Sequence, residues 1–261
     1  MARKGTTKAS SPRDKQRLPP PLPPETRTVG QLVAESVRLY GRRFWPSLAL
    51  GIGPAVIGTA STYLPRTSAI VLLSAAGALV MGASSAGASA IVSGRRPTGR
   101  TMVVATGVGF LVYLPVPYLT VFLVLPAVAW LAFIGLSVPA LVIENLDVRS
   151  AFRRGVALGR ADFVHAMGSL ATLVIVVFLT GSVMSILVHG GSGQAVRIAA
   201  FLASLVVSPI LFLGAALLYY DQEARLRLRS RGTPTKRRRD AHIPDAVDAD
   251  RPGPADASIQ P

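Results

Sequence analysis

Long apolar segments fill the middle of the chain, and polar segments lie at both ends. Four runs with at most one Asp, Glu, Lys or Arg cover about 44–64, 68–93, 163–188 and 195–220. Each is close to the ~20 residues that a helix needs to cross about 30 Å of hydrocarbon. A fifth run, 101–143, has 43 residues without a charge. Because that is about twice the length of one span, we predict a hairpin of two spans with its turn between 117 and 126.

This pattern predicts an all-α, polytopic membrane protein with six transmembrane helices between 28 and 221. The polar tail 1–27 is basic and contains LPPPLPP at 18–24, which favours a stiff spacer or, alternatively, a docking segment for a partner. The tail 222–261 is predicted to begin as a continuation of span 6. It is basic at first and then rich in Asp, Ala and Pro, which predicts disorder beyond 240.

The charge distribution predicts the orientation of these spans. Net charge is +15, and 26 of the 28 Lys and Arg residues fall on one face of the predicted topology. The other face has Arg66 and Arg197. Since cytoplasmic segments near spans carry the excess of basic residues, both termini are predicted to be cytoplasmic. Basic residues beside apolar runs favour anionic lipid over nucleic acid as the partner.

Residues 28–44 show the pattern of an amphipathic helix before span 1. At 100° per residue one face carries the apolar side chains Val29, Leu32, Val33, Val37, Leu39, Tyr40 and Phe44. The opposite face carries Gln31, Glu35, Arg38 and Arg42. Thr28 and Gln31 match the capping box that begins a helix. We predict a helix over 28–44 that lies in the plane of the lipid headgroups.

A similar segment precedes span 5. Aligned at an offset of 119, Thr28 meets Asp147, and both are residues that cap helix N-termini. Four apolar identities follow: Val29 with Val148, Val37 with Val156, Leu39 with Leu158, and Phe44 with Phe163. We predict a second interfacial helix over 147–162 with Val148, Phe152 and Val156 on one face. An internal parallel repeat and coincidental apolar periodicity both remain open as explanations.

These segments and the start of the C-terminal tail supply the candidate residues for lipid headgroups. They are Arg38, Arg42, Arg43, Arg149, Arg153, Arg154, Arg160, Arg225, Arg227 and Arg229. Thr28 and Asp147 are predicted to be structural caps.

The sequence shows no motif for catalysis, a cofactor or a metal. Cysteine is absent, which excludes disulfides and Cys-based metal or redox sites. The ionisable residues Glu144, Asp162 and Asp221 lie at span ends, and His165 and His189 are expected to be interfacial. We therefore predict no catalytic residue, cofactor or metal, and no enzyme activity.

Small residues and prolines within the spans allow two interpretations. The pairs Gly82–Ala86, Ala83–Gly87 and Ser85–Ser89 favour close helix packing, with a path for a solute as the alternative. Pro54, Pro139 and Pro209 would, in that alternative, break helices around a transport site.

Three short motifs resemble a bacterial membrane-domain family. They are Arg38-Leu39-Tyr40 with Phe44, Glu144 with Ala151 and Arg153-Arg154, and Tyr219-Tyr220-Asp221. The family is related to the membrane domain attached to some glycerophosphoryl diester phosphodiesterases, and the resemblance covers about 28–228. It implies an integral protein of a bacterial plasma membrane. The phosphodiesterase barrel is absent here, so that activity is not implied.

The leading function is a non-enzymatic membrane scaffold or partner-binding protein that engages anionic lipid, with a membrane-protein partner or a homo-oligomer expected. The alternative is a small permease with its site among spans broken by proline and glycine. A third hypothesis, a lipid-processing enzyme, requires a polar cluster near Glu144 and Asp221.

Overall fold

The computed structural model describes residues 27–187 and 193–232, and all regular structure in them is helical. The first half of this part of the chain forms α1 (Val29–Arg42), α2 (Phe44–Ser61), α3 (Arg66–Leu72), α4 (Ala78–Ser93), α5 (Gly99–Tyr113) and α6 (Val116–Phe122). A π-helical turn, Leu73–Gly77, joins α3 to α4. The second half forms α7 (Val124–Ile134), α8 (Ser137–Glu144), α9 (Val148–Ala161), α10 (Phe163–Leu187) and α11 (Gly193–Gly232).

Five helical segments are long and apolar enough to cross a membrane. They are Arg66–Ser93, Gly99–Val121, Val124–Glu144, Phe163–Met184 and Gly193–Ser230. The chain is therefore all-helical with the character of a membrane protein, as predicted. The predicted first span, α2, has 18 residues and is not among the five, because two prolines and three glycines lower its mean hydropathy. The tails 1–26 and 233–261 and the predicted position of His189 lie outside the described residues.

The long uncharged run folds back as predicted. Leu123 separates α6 from α7 with an extended backbone, φ −168° and ψ 152°, inside the window predicted for the turn. The two halves of the hairpin are joined by a hydrogen bond from α7 to α5: the Trp130 indole N–H donates to the carbonyl oxygen of Val112 over 2.8 Å. This bond satisfies a carbonyl near the C-terminal end of α5, which would otherwise lack a helical partner.

Small residues bring α4 and α5 into backbone contact, which confirms the packing interpretation for this pair of helices. A Cβ on Gly109 would overlap Gly82, and a Cβ on Gly82 would lie 2.7 Å from the carbonyl oxygen of Thr106. Glycine lets helices approach this closely because it removes the side chain from the contact.

Pro54 and Pro209 do not break their helices, as the alternative of a transport site would require, since α2 and α11 continue through them. A proline leaves the carbonyl four residues earlier without its helical donor. The Ser84 hydroxyl of α4 donates to the carbonyl oxygen freed by Pro54, that of Leu50, over 2.8 Å. The carbonyl oxygen freed by Pro209 lies against α2 at Gly51, where a Cβ would overlap it.

Equivalent positions of α1 and α9 are buried. The three positions of α1 are Leu32, Ser36 and Tyr40, and the residues 119 positions later are Ala151, Gly155 and Gly159. The apolar faces of these helices are only partly turned to the bundle: Val37 is 49% exposed and Phe44 41%. The buried residues of α9 are Ala151, Gly155, Leu158, Gly159 and Ala161, and Phe152 is partly buried against the core. The position of both helices in the headgroup plane stays a prediction.

Both helices make a close contact between glycine and serine, with the roles exchanged. A Cβ on Gly214 of α11 would lie 3.1 Å from the Ser36 hydroxyl of α1, and a Cβ on Gly155 of α9 would overlap Ser137 of α8. Gly214 lies seven residues before Asp221, and Ser137 lies seven residues before Glu144.

We expect Gly109→Val to destabilise the protein by roughly 1–3 kcal/mol, because an overpacked contact forces the backbones apart. Thermal unfolding in detergent measures the change. Gly107→Val is the matched control: it lies on the same helix, and a Cβ there meets nothing within 4 Å. Equal loss of stability in the two variants would contradict the crossing at Gly109.

Candidate functional site

Polar side chains from α11 collect where this helix meets α1, α8, α9 and α10. We call Tyr219, Asp221, Gln222, Glu223 and Arg225, with the residues they bind, the α11 polar cluster. Tyr219, Asp221 and Gln222 are fully buried. Buried polar groups are stable only when they are paired, so their partners define the cluster.

Asp221 binds the residue that precedes α1. The Arg27 guanidinium donates to Asp221 Oδ1 over 2.8 Å, and the side chains are 8% and 0% exposed. Arg225 Nη2 donates to the carbonyl oxygen of Arg27 over 3.3 Å. The first described residue is therefore held on α11 by both its side chain and its backbone.

Asp162 fixes the junction of α9 and α10 to α11. Its Oδ1 accepts from the backbone N–H of His165 over 3.1 Å, which caps the start of α10. Its Oδ2 accepts from Arg225 Nη1 over 2.9 Å, and its carbonyl oxygen accepts from Gln222 Nε2 over 3.2 Å. One aspartate thus begins a helix and also positions that helix against another.

Glu144, at the end of α8, forms the other side of the cluster. The Tyr219 hydroxyl donates to Glu144, and Arg154 of α9 donates to it through Nε over 2.8 Å. Arg154 also reaches Glu223 Oε1 over 3.4 Å, and Arg227 binds the same oxygen over 2.7 Å. The cluster therefore joins α8 and α9 to α11.

The arginines predicted to bind lipid differ in their contacts and exposure. Arg154, Arg225 and Arg227 bind carboxylates of the cluster. Three others have further intramolecular contacts: Arg38 with Glu35 at 3.7 Å, Arg43 with the carbonyl oxygen of Ile91 at 3.2 Å, and Arg160 over the ring of Phe133 at 5.3 Å. Seven of the ten are exposed: Arg42, Arg43, Arg149, Arg153, Arg160, Arg227 and Arg229.

Both predicted caps are present. Thr28 Oγ1 accepts from the backbone N–H of Gln31, and Gln31 Oε1 accepts from that of Thr28, which completes the capping box. Asp147 Oδ2 accepts from the backbone N–H of Ser150 over 3.2 Å. Hydrogen bonds from the Ser150 hydroxyl and amide lower the pKa of Asp147 below its ordinary value.

Sequence reasoning missed Arg27, Asp162 and Tyr219 as members of one cluster. The one local signal was Asp162 three residues before His165, the spacing of an N-cap. Each carboxylate of the cluster faces a guanidinium. No group of three or more His, Asp or Glu that could hold a metal ion occurs in residues 27–187 and 193–232.

No protein-family model matches the chain, and neither a curated protein nor a solved structure shows significant similarity to it. The resemblance to the membrane-domain family therefore stays a prediction.

We expect Tyr219→Phe to destabilise the protein by about 1–3 kcal/mol, since Glu144 loses a donor in a partly buried site. Unfolding in detergent measures the loss. Tyr220→Phe is the control on the adjacent residue, and we expect a change within about 0.5 kcal/mol. No loss of stability in Tyr219→Phe, or an equal loss in the two variants, would contradict a specific role of the Tyr219 hydroxyl in the cluster.

Proposed function

We propose that the chain is a non-enzymatic membrane scaffold or partner-binding protein, with six spans and both termini in the cytoplasm, that engages anionic lipid. One observation carries this proposal. At the end of the bundle that holds the α11 polar cluster, the carboxylates already bind arginines, and several further arginines are exposed.

The charge balance at that end supports lipid binding. Arg27, Arg154, Arg225 and Arg227 neutralise the four carboxylates of the α11 polar cluster. Five more arginines are exposed, and no described carboxylate lies within ion-pair distance of them: Arg42, Arg96, Arg100, Arg149 and Arg153. Such a basic surface beside spans attracts anionic headgroups at about 1 kcal/mol per residue.

Exposed apolar side chains next to these arginines support contact with the bilayer. Phe44 and Trp45 follow Arg42 and are 41% and 76% exposed. Val148 and Phe163 at the two ends of α9 are 41% and 36% exposed. Aromatic residues beside basic ones are typical of the membrane–water interface. Each capped helix thus packs one side on the bundle and leaves apolar and basic groups for lipid.

The sixth span in this proposal is α2. Its Gly51 lies against Leu205 of α11. Towards its C-terminal end, Thr59 and Thr62 line a cleft of about 210 Å³ with Val196 and Ala200. The helix therefore runs antiparallel to α11 along a candidate span, which favours a transmembrane position despite its lower hydropathy.

The cluster near Glu144 and Asp221 favours a structural role over lipid processing. The two carboxylates face α8–α9 and α1–α10 respectively, and arginine occupies each of them. A general acid or base would have to be released from its guanidinium before it could act.

Anionic lipid is expected to raise the thermal stability of the full-length protein in neutral detergent more than zwitterionic lipid does. The double variant Arg149→Gln/Arg153→Gln should lose about 1 kcal/mol of this stabilisation per arginine. Added salt should weaken the effect, since exposed charges are screened.

The matched control is Arg66→Gln/Arg197→Gln, which removes the two arginines predicted for the opposite face. It should keep the full response to anionic lipid. Equal loss in the two double variants, or no preference for anionic lipid, would contradict the proposal.

Single cysteines in this cysteine-free chain test the topology. In intact bacterial cells, an impermeant maleimide should label Thr67→Cys, whereas Arg96→Cys should react only after permeabilisation. Gly30→Cys decides the role of α2. It should behave like Arg96→Cys if α2 crosses the membrane, and labelling from outside would overturn the sixth span.

A further inference from the structure

Several buried polar atoms beside the Arg27–Asp221 ion pair have no hydrogen-bond partner among the described residues. They are Asp221 Oδ2, His165 Nε2, Gln222 Oε1, Arg225 Nε and Ser169 Oγ. Asp221, Gln222 and Ser169 are fully buried, and the His165 side chain is 12% exposed. Ser169 lies one turn after His165 on α10, so these atoms surround one region between α10 and α11.

The distance between His165 and Asp221 suits a bridging molecule. His165 Nε2 and Asp221 Oδ2 are 4.0 Å apart, which is too long for a direct hydrogen bond. One water molecule can reach both atoms at ordinary hydrogen-bond lengths. Since buried polar groups nearly always have a protein or water partner, the region is suited to bound water.

The charged groups around this region balance when His165 is neutral. Arg27 comes from the segment before α1, Asp162 from the junction of α9 and α10, and Asp221 and Arg225 from α11. The other charged groups of the cluster, Glu144, Glu223, Arg154 and Arg227, pair with one another on the α8–α9 side. A proton on His165 would therefore add one uncompensated positive charge to a buried site.

We propose that His165 and Asp221 form a hydrated proton-binding site that controls whether Arg27 stays bound to α11. A protonated His165 donates to Asp221 Oδ2, directly or through the water, and places a second cation beside Arg27, which binds Oδ1 of the same carboxylate. Repulsion between the two cations weakens the binding of Arg27. Arg27 is the cation that can leave, because it precedes α1, whereas Arg225 and His165 lie within long helices. Uptake of a proton thus releases the start of α1. This inference does not depend on lipid binding.

A distance measurement on the full chain in nanodiscs tests the proposal. Spin labels at Gly30→Cys and Leu228→Cys report on α1 and the end of α11, since a Cβ at Gly30 meets nothing within 4 Å and Leu228 is 51% exposed. At about pH 7.5 we expect one narrow distance. At about pH 5, the acidic end of the range in which histidine changes its charge, we expect a second, longer and broader population.

Two test variants and one control variant in the labelled background identify the groups. His165→Gln should keep the narrow distance at both pH values, whereas His189→Gln should retain the response of the parent. Asp221→Asn should give the broad population at both pH values. A parent distance that does not change with pH, a response that persists in His165→Gln, or a narrow distance in Asp221→Asn would each overturn the proposal. If Asp221→Asn does not fold, His165→Gln still decides.

Discussion

Burial of charge at the end of an apolar bundle is the constraint on which the rest of the arrangement depends. Asp221 is fully buried on α11, and an unpaired carboxylate there would cost several kcal/mol. Arg27 removes this cost and places α1 on α11. Asp162 and Arg225 hold the junction of α9 and α10 in the same way. Helix contacts in lipid gain little from hydrophobicity, since lipid tails are themselves apolar, so paired charges and small residues determine which helices meet.

The parts of the fold that follow from local physics could be predicted. The length of the 101–143 run requires a hairpin because one helix would exceed the bilayer, and the turn at Leu123 lies in the predicted window. The caps at Thr28 and Asp147 depend only on residues within one turn. The partners of the charges could not be predicted. An arginine near a span end has the same sequence signature whether it faces lipid or a carboxylate, so the sequence gives no sign that Arg154 and Arg225 bind carboxylates.

Packing faces were harder to predict than helices. Apolar periodicity places Val148, Phe152 and Val156 on one face of α9 and gives no sign that Gly155 and Gly159 approach neighbouring backbone. Glycine adds nothing to the apolar periodicity of a helix. Whether a glycine forms a close contact depends on the shape of the opposing helix, which the sequence does not show. The same reason applies to Pro54. It leaves the carbonyl of Leu50 without a helical donor, and Ser84 on another helix donates to that carbonyl instead. These contacts join residues that are far apart in the sequence, so no local pattern predicts them.

The ion pair between Arg27 and Asp221 also limits the order in which the protein can be assembled. The two residues are 194 positions apart, so α1 is synthesised long before the helix that receives it. Chains are made from the N-terminus at about 5–20 residues per second. For roughly ten seconds or more at such rates, the nascent chain must therefore keep α1 without its carboxylate partner. During this interval the basic side of α1 is available to the ribosome-bound insertion machinery and to the bilayer surface, and the bundle closes only when its last helix is complete.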